Sequence, residues 1–318
     1  MSTTSFASAA DNREQTARLV RLSAHAWAFA SDYDPNCGFI VGRDSVLVID
    51  TRSTPAMARQ LRAAIRSVTP LPVRHLFLTH YHAVRVLGAA AFGPDVAIIA
   101  SEGTRTWIEE RGQADYESER GRFPRLFQGA EEIPGLTRPS VTFKDQVSVW
   151  LGDLEVQLLH IGRGHSRGDS VAWIPSEGVL FAGDLVENRC AVYAGDGYIR
   201  EWSATLSKLE ALAPSALLPG RGAPLQDAAG AQAAIDGTRG FLDALWHAAA
   251  DAHGRGLDRR RVYEATLAAL KPAYGDWPVF QHVMPFDVCR VLEELQEGSE
   301  PSVWTDARDK ALWAELNG

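Results

Sequence analysis

The sequence predicts an α/β layered fold with a helical extension at its C-terminal end, and three observations carry that expectation. Between about residues 20 and 220, short apolar runs of β-strand character alternate with amphipathic helical stretches. A hydrophobic fraction of 46% over 318 residues is enough to bury a large core. Beyond about Ala228 the alternation stops and every segment reads as helix. The expected organisation is therefore a sheet-and-helix body over residues 1–227 and a helical extension over 228–318.

Taken in order, strands are expected at Ala26–Ala30, at Phe39–Val41 and at Val46–Ile49, an uninterrupted apolar run that ends at Asp50-Thr51. Pro55 introduces an amphipathic helix, MARQLRAAIRSV. Val73–Leu78 and Val96–Ile99 are the next strands, followed by a helix over Glu102–Arg111. From about Gln113 to Pro139 the chain turns polar, charged and aromatic, which suggests an inserted helix and loop near the site (insertion about 113–139). Strands resume after Val141, at Val147–Leu151, Leu154–Leu159, Ser170–Ile174 and Val179–Ala182. A helix over Trp202–Leu212 leads to a last strand, Ala216–Leu218, closed by Pro219-Gly-Arg-Gly222. The tail carries helices at Ala231–Ala252, Asp258–Leu270, Pro285–Leu295 and Asp306–Leu316. In the third of these an early proline and Asp287 in the first turn match helix-start preferences, which accounts for Asp287 without any function.

Composition excludes several classes. The formal charge of −8, with acids and bases interspersed, leaves no basic stripe to neutralise phosphates, so nucleic acid is not an expected partner. No stretch approaches the roughly 18 uninterrupted apolar residues of a membrane span. The N-terminus has no basic start followed by an apolar core, so a soluble, cytoplasmic protein without a membrane partner is expected. Cys37, Cys190 and Cys289 are odd in number, far apart and without C-x-x-C spacing, and read as buried small hydrophobes.

The chemistry gathers at strand ends. His80 and His82, in THYHAVR, are imidazoles at i and i+2 just after a strand, able to face one ion where the backbone turns. His165 lies in a glycine-flanked loop, GRGHSRGDS, and Asp184 ends the apolar strand LFAGD. A lone histidine is more often structural, but three histidines and an aspartate at strand-to-loop junctions favour a site. Asp50 reads as a turn carboxylate supporting the histidine loop, and Tyr81 should point away from the metal. Ser166, Arg167 and Asp169 of the histidine loop read as supporting or solvated residues, while Tyr193, Asp196 and Tyr198 follow the aspartate and are candidates to line the pocket. His25, His75, His160, His247 and His253 have no ligand-like company and read as structural.

On these residues the chain resembles the metallo-β-lactamase-fold metallohydrolases. That family carries H-x-H-x-D-H after a strand, a G-H-[ST]-x-G loop, an F-x-G-D aspartate and a final histidine after the last core strand. The matching segments here are His80-Tyr81-His82-Ala83-Val84-Arg85, Gly164-His165-Ser166-Arg167-Gly168, Phe181-Ala-Gly-Asp184 and Leu218-Pro-Gly-Arg221, over about residues 20–225. The resemblance implies an αββα metallo-β-lactamase-like sandwich. It also implies that His80, His82, His165 and Asp184 are retained metal ligands, whereas the second half-site has become Val84, Arg85 and Arg221. Valine has no lone pair and a guanidinium does not deprotonate, so a second ion is not expected. Arg85 and Arg221 would either pair with Asp184 in place of the lost cation or present a fork to an anionic substrate.

The leading expectation is a mononuclear hydrolase holding one zinc ion (Zn2+) per chain. Asp184 would orient or deprotonate a metal-activated water, and Arg85, Arg221, Tyr193 and Tyr198 would meet a small organic substrate, an anionic one being favoured by the arginines. The alternatives are a mononuclear Fe2+ oxygenase using His80, His165 and Asp184, of persulfide-dioxygenase type, and a family member that binds a small anion without turnover. The helical tail offers a dimer surface, so a homodimer is one expected assembly.

Overall fold

The structure, a computed structural model, describes residue 11, residues 13–296 and residues 300–317. The N-terminal ten residues, on which the expected absence of a leader rests, lie outside the described residues. The first sheet has seven strands in sequential order: β1 Arg18–Arg21, β2 Ala26–Ala30, β3 Cys37–Val41, β4 Val46–Ile49, β5 Val73–Phe77, β6 Ala97–Ser101 and β7 Val141–Phe143. It is antiparallel from β1 to β4 and parallel from β4 to β7. The second sheet runs β12-β11-β10-β9-β8, with β8 Gln146–Leu151, β9 Leu154–Leu159, β10 Val171–Ile174, β11 Val179–Gly183 and β12 Ala216–Pro219. Only its β11–β12 pair is parallel.

The period of two along each strand builds the layers. In β4, Leu47 and Ile49 face the space between the sheets, where they meet Val156, Leu158, Ala172 and Phe181. Val46 and Val48 face the other way, onto Leu61 and Ile65 of α1 (Pro55–Val68). Thr54 caps α1 by accepting from the Met57 N–H at 3.1 Å, and Pro55 occupies its first turn, where no N–H is needed. On the second sheet, Leu180 and Ala182 of β11 and Trp173 of β10 face the opposite outer layer, with Leu206 and Leu209 of α4 (Ile199–Ala211). The result is a helix–sheet–sheet–helix sandwich.

The remaining helices are α2 (Ala83–Val86), α3 (Glu102–Arg122), α5 (Ala228–Gly254), α6 (Arg259–Tyr274), α7 (Phe280–Leu295) and α8 (Asp306–Asn317). The C-terminal helices share one hydrophobic core with the body, since Phe241, Leu245, Val283 and Val291 belong to the same cluster as Tyr81, Trp107 and Trp202.

Five elements differ from expectation for physical reasons. The helix expected to end at Arg111 continues as α3 to Arg122, through Gly112. A helical glycine costs up to about 1 kcal/mol, and the burial of Trp107, Ile108, Arg111, Asp115, Ser118 and Arg122 offsets it. The third tail helix begins at Phe280 and contains Pro285, so Asp287 is a fully buried mid-helix carboxyl and not a first-turn residue. Finally, β1, β7 and the short α2 were not expected, being too short to show a period.

Candidate metal centre

Four strand ends converge on one edge of the sandwich. The backbone leaves β4 at Asp50 with φ 57°, a left-handed conformation that aspartate tolerates better than most residues. This sets its carboxylate under the next strand end: Asp50 accepts from the Thr79 N–H at 2.9 Å and from the Thr79 hydroxyl at 2.8 Å. His80 and His82 then follow β5, His165 comes from the β9–β10 loop, and Asp184 follows β11 directly. All four are at least nine-tenths buried, and their donor atoms lie within 4.8 Å of one another. At the end of β12, Gly220 must lack a side chain, because a Cβ there would stand 2.2 Å from Asp184 Oδ1.

The donor set fits a divalent ion. His165 Nε2 is 2.9 Å from His82 Nδ1, and both His80 Nε2 and His165 Nε2 are 3.6 Å from Asp184 Oδ2. Donors about 2.0–2.1 Å from a tetrahedral ion stand roughly 3.3 Å apart, so these separations are of the required size. The outer ring atoms decide which nitrogens are bare. The Thr79 hydroxyl gives its proton to Asp50 and so accepts from His80 Nδ1–H at 3.0 Å, which leaves a lone pair on the buried, unpaired His80 Nε2. His165 Nδ1 can only donate to the Tyr193 carbonyl, at 2.9 Å, and His82 Nε2 donates to Asp196 at 3.3 Å. These partners turn His80 Nε2, His82 Nδ1 and His165 Nε2 inward beside a carboxylate, where a cation, or without one a proton on His82, must lie between them. Partners that hold the far side of a ligating imidazole in this way are typical of metal sites. Thr79→Val removes the acceptor from His80, and the metal dissociation constant should rise about 10–100-fold in chelator competition.

The charges follow from burial and neighbours. Burial pushes His80 well below its ordinary value and His165 down to about 3. For His82 burial acts in the same direction, but Asp115, Asp196 and Glu119 outweigh it and lift the ring to about 9. Burial would raise the Asp184 carboxyl, yet the surrounding positive groups, Arg85 foremost, hold it well below the usual carboxylate range.

Arg85 lies directly against Asp184. Its guanidinium, 1% exposed, donates to Asp184 Oδ1, to the Gly220 carbonyl at 2.9 Å and to the Asn36 carbonyl, with Asp50 3.8 Å away. Arg221 Nη1 is 3.4 Å from Asp184 Oδ2 and 3.8 Å from Glu187. The two arginines differ in access. Arg221 lines a small cavity, partly open to solvent, together with His82, Val84, His165, Asp184 and Tyr193, whereas Arg85 is not among its lining residues. Tyr198 also lies outside that lining: its hydroxyl donates to Glu300 and Arg163 stacks 4.1 Å from its ring centre. Tyr81 packs edge-on against Trp107, as its position between two ligands requires. Asp169 braces the histidine loop, accepting from the backbone N–H groups of Gly164 and Ser166.

Sequence reasoning missed several residues that the fold brings here. Asp115, Glu119 and Arg122, at i, i+4 and i+7 on α3, form a charged face turned inward; Asp115 is 3.7 Å from His82, and Glu119 and Arg122 line the cavity. That helical spacing within the polar stretch was the available signal. Glu187 also lines the cavity, and burial together with the charge of Asp184 keeps its carboxyl well above the ordinary range. Phe123, Leu126 and Ala191 supply apolar wall, and Val279, His282 and Val283 close it from the C-terminal helical region.

The fold and site together define a buried group of three histidines and one aspartate able to hold a metal ion, on an αββα sandwich. The sequence model of the metallo-beta-lactamase superfamily matches residues 31–221, and the chain belongs to that superfamily. A type 2 metallo-beta-lactamase of Bacteroides fragilis is 34% identical over 93 residues, covering 28% of this chain and only 37% of that protein. Among solved structures, a metallo-beta-lactamase from Pontibacter korlensis superposes with a TM-score of 0.58 at 18% identity, covering 71% of this chain and 99% of its own. A stereoselective inverting sec-alkylsulfatase from Pseudomonas sp. superposes with a TM-score of 0.68 at 15% identity, covering 89% of this chain and 51% of its own. At these identities the structural likeness establishes the fold alone. The sulfatase match covers too much of this chain to leave out the C-terminal helices.

Proposed function

We propose that the protein is a mononuclear metal-dependent hydrolase of a small organic anion. The observation that carries the reading is the direct ion pair between Arg85 and Asp184, which puts a fixed cation where the second ion of a two-metal site would need ligands. His80, His82, His165 and Asp184 would hold the one ion, zinc by expectation, whose Lewis acidity activates water at neutral pH.

The chain's own groups supply the rest. Asp184 is kept ionised by Arg85, so its Oδ2 would serve the ion and help orient the attacking water. Arg221 stands on the cavity wall, where its guanidinium can meet an anionic substrate group. Phe123, Leu126, Ala191, Val279 and Val283 suit an apolar hydrocarbon or aromatic body. A sulfatase among the structural neighbours supports testing sulfate esters first, then carboxylic esters and thioesters.

The test is a turnover screen of these classes with zinc-loaded protein, each anionic compound paired with an uncharged analogue. Turnover of an anionic member is expected, and Arg221→Met should raise its KM about tenfold or more while changing the uncharged analogue little, a charged hydrogen bond being worth about 1.5–3 kcal/mol. Absence of turnover in every class, with ligand-dependent stabilisation intact, would overturn the hydrolase reading in favour of a binder.

A further inference from the structure

Residues 193–198 belong to no strand or helix, yet they provide the outer partners of two of the three imidazoles. The Tyr193 carbonyl accepts from His165 and the Asp196 carboxylate accepts from His82. Beside the Tyr198 N–H, which donates to the Gly164 carbonyl of the histidine loop at 2.7 Å, three side chains of the C-terminal helical region hold this loop. Asp287 Oδ1 on α7 accepts from the Ala194 N–H at 2.7 Å, and Arg290 Nε donates to the Gly197 carbonyl at 2.6 Å. Trp304, between α7 and α8, donates its indole N–H to the Gly195 carbonyl at 3.1 Å. The backbone is also pressed against α7, since a Cβ on Gly195 would stand 3.0 Å from the Phe286 Cβ. Asp287, Arg290 and Trp304 are 0%, 1% and 4% exposed. Surface loops ordinarily satisfy their backbone with water, and buried polar side chains are costly unless they are well paired. Three such side chains bonded to the backbone of Ala194, Gly195 and Gly197 fix that loop's position.

We propose that Asp287, Arg290 and Trp304 are positioning residues of the metal centre, through which the helical extension sets metal affinity by holding the 193–197 loop against His82 and His165. The inference rests on the metal-centre reading above. It assigns the extension a role in the site that packing alone would not require. Burial keeps the Asp287 carboxyl well above the usual range, so an amide is a close mimic of it as an acceptor.

The test measures the zinc dissociation constant of the full chain by competition with a chromophoric chelator, beside the melting temperature of the metal-free protein. Asp287→Ala should weaken zinc at least about tenfold, the low end of what losing the partner of a metal ligand does, while Asp287→Asn should restore near-wild-type affinity. Trp304→Phe, which keeps an aromatic ring and removes the donor, should also weaken zinc at least about tenfold beside only a modest drop in melting temperature, and it decides the matter if Asp287→Ala does not fold. Asp196→Ala is the control expected to weaken zinc directly. If Asp196→Ala weakens binding while Asp287→Ala, or Trp304→Phe in its place, lowers only the melting temperature, the positioning role is overturned and the metal centre stands. Wild-type protein that binds no zinc would overturn the metal-centre reading, and this inference with it.

Discussion

Arg85→Met is expected to destabilise the fold by roughly 3–5 kcal/mol at neutral pH, the loss typical when one partner of a buried ion pair is removed. The magnitude follows from where the charge is left. Asp184 is 4% exposed, and without Arg85 it keeps only the 3.4 Å contact with Arg221 as a nearby fixed cation. Methionine retains much of the arginine's length but leaves the Gly220 and Asn36 carbonyls without their donor as well. The pH dependence has a definite sign. Because the folded-state carboxyl is depressed, the stability it contributes is present above the ordinary unfolded value of about 4 and is lost as pH falls through the depressed value. Urea melts of metal-free protein should therefore show a gap between wild type and variant that is full at pH 7 and narrows in strong acid. A neutral-pH loss within about 0.5 kcal/mol, the range of an ordinary surface substitution, would mean that Arg85 is not the cation that compensates Asp184.

His165→Ala is expected to abolish metal binding and with it any turnover. His165 Nε2 lies 2.9 Å from His82 Nδ1 and 3.6 Å from Asp184 Oδ2, and its Nδ1 is tied to the Tyr193 carbonyl, so no neighbouring group can take its place. Two imidazoles and one carboxylate already paired with a guanidinium would remain, a set that holds zinc far less tightly. The fold should survive, because the substitution removes a polar ring and leaves the Tyr193 and Trp202 rings beside it in place. Metal analysis and circular dichroism on one sample would check both halves. Retention of one ion per chain in His165→Ala would place the metal elsewhere.

How far the site can be read from sequence depends on where its information lies. His80, His82, His165 and Asp184 are legible because each stands in a short local pattern at a strand end. Asp50 was legible as a supporting carboxylate for the same reason, at the end of the apolar run Val46–Ile49. Asp115, Glu119 and Arg122 were not, because an alternation of acids and bases on a helix looks the same facing solvent as facing a charged site. Only tertiary packing turns that face of α3 inward. Asp287 shows the opposite hazard: a proline two residues earlier made it look like a helix start, whereas α7 begins five residues before that proline and buries the carboxyl against the Ala194 N–H. Tyr198 is adjacent in sequence to the loop at the site, but its hydroxyl is committed to Glu300. Proximity along the chain says little about orientation.

The central claim is that one ion sits on His80, His82, His165 and Asp184 and that Arg85 stands in place of a second. Elemental analysis of protein purified without added metal, beside His80→Ala, tests it most directly. The account predicts one divalent ion per chain, with zinc supporting the hydrolase and iron favouring the oxygenase, and loss of that ion in the variant. Two ions per chain, or an ion that His80→Ala retains, would contradict it.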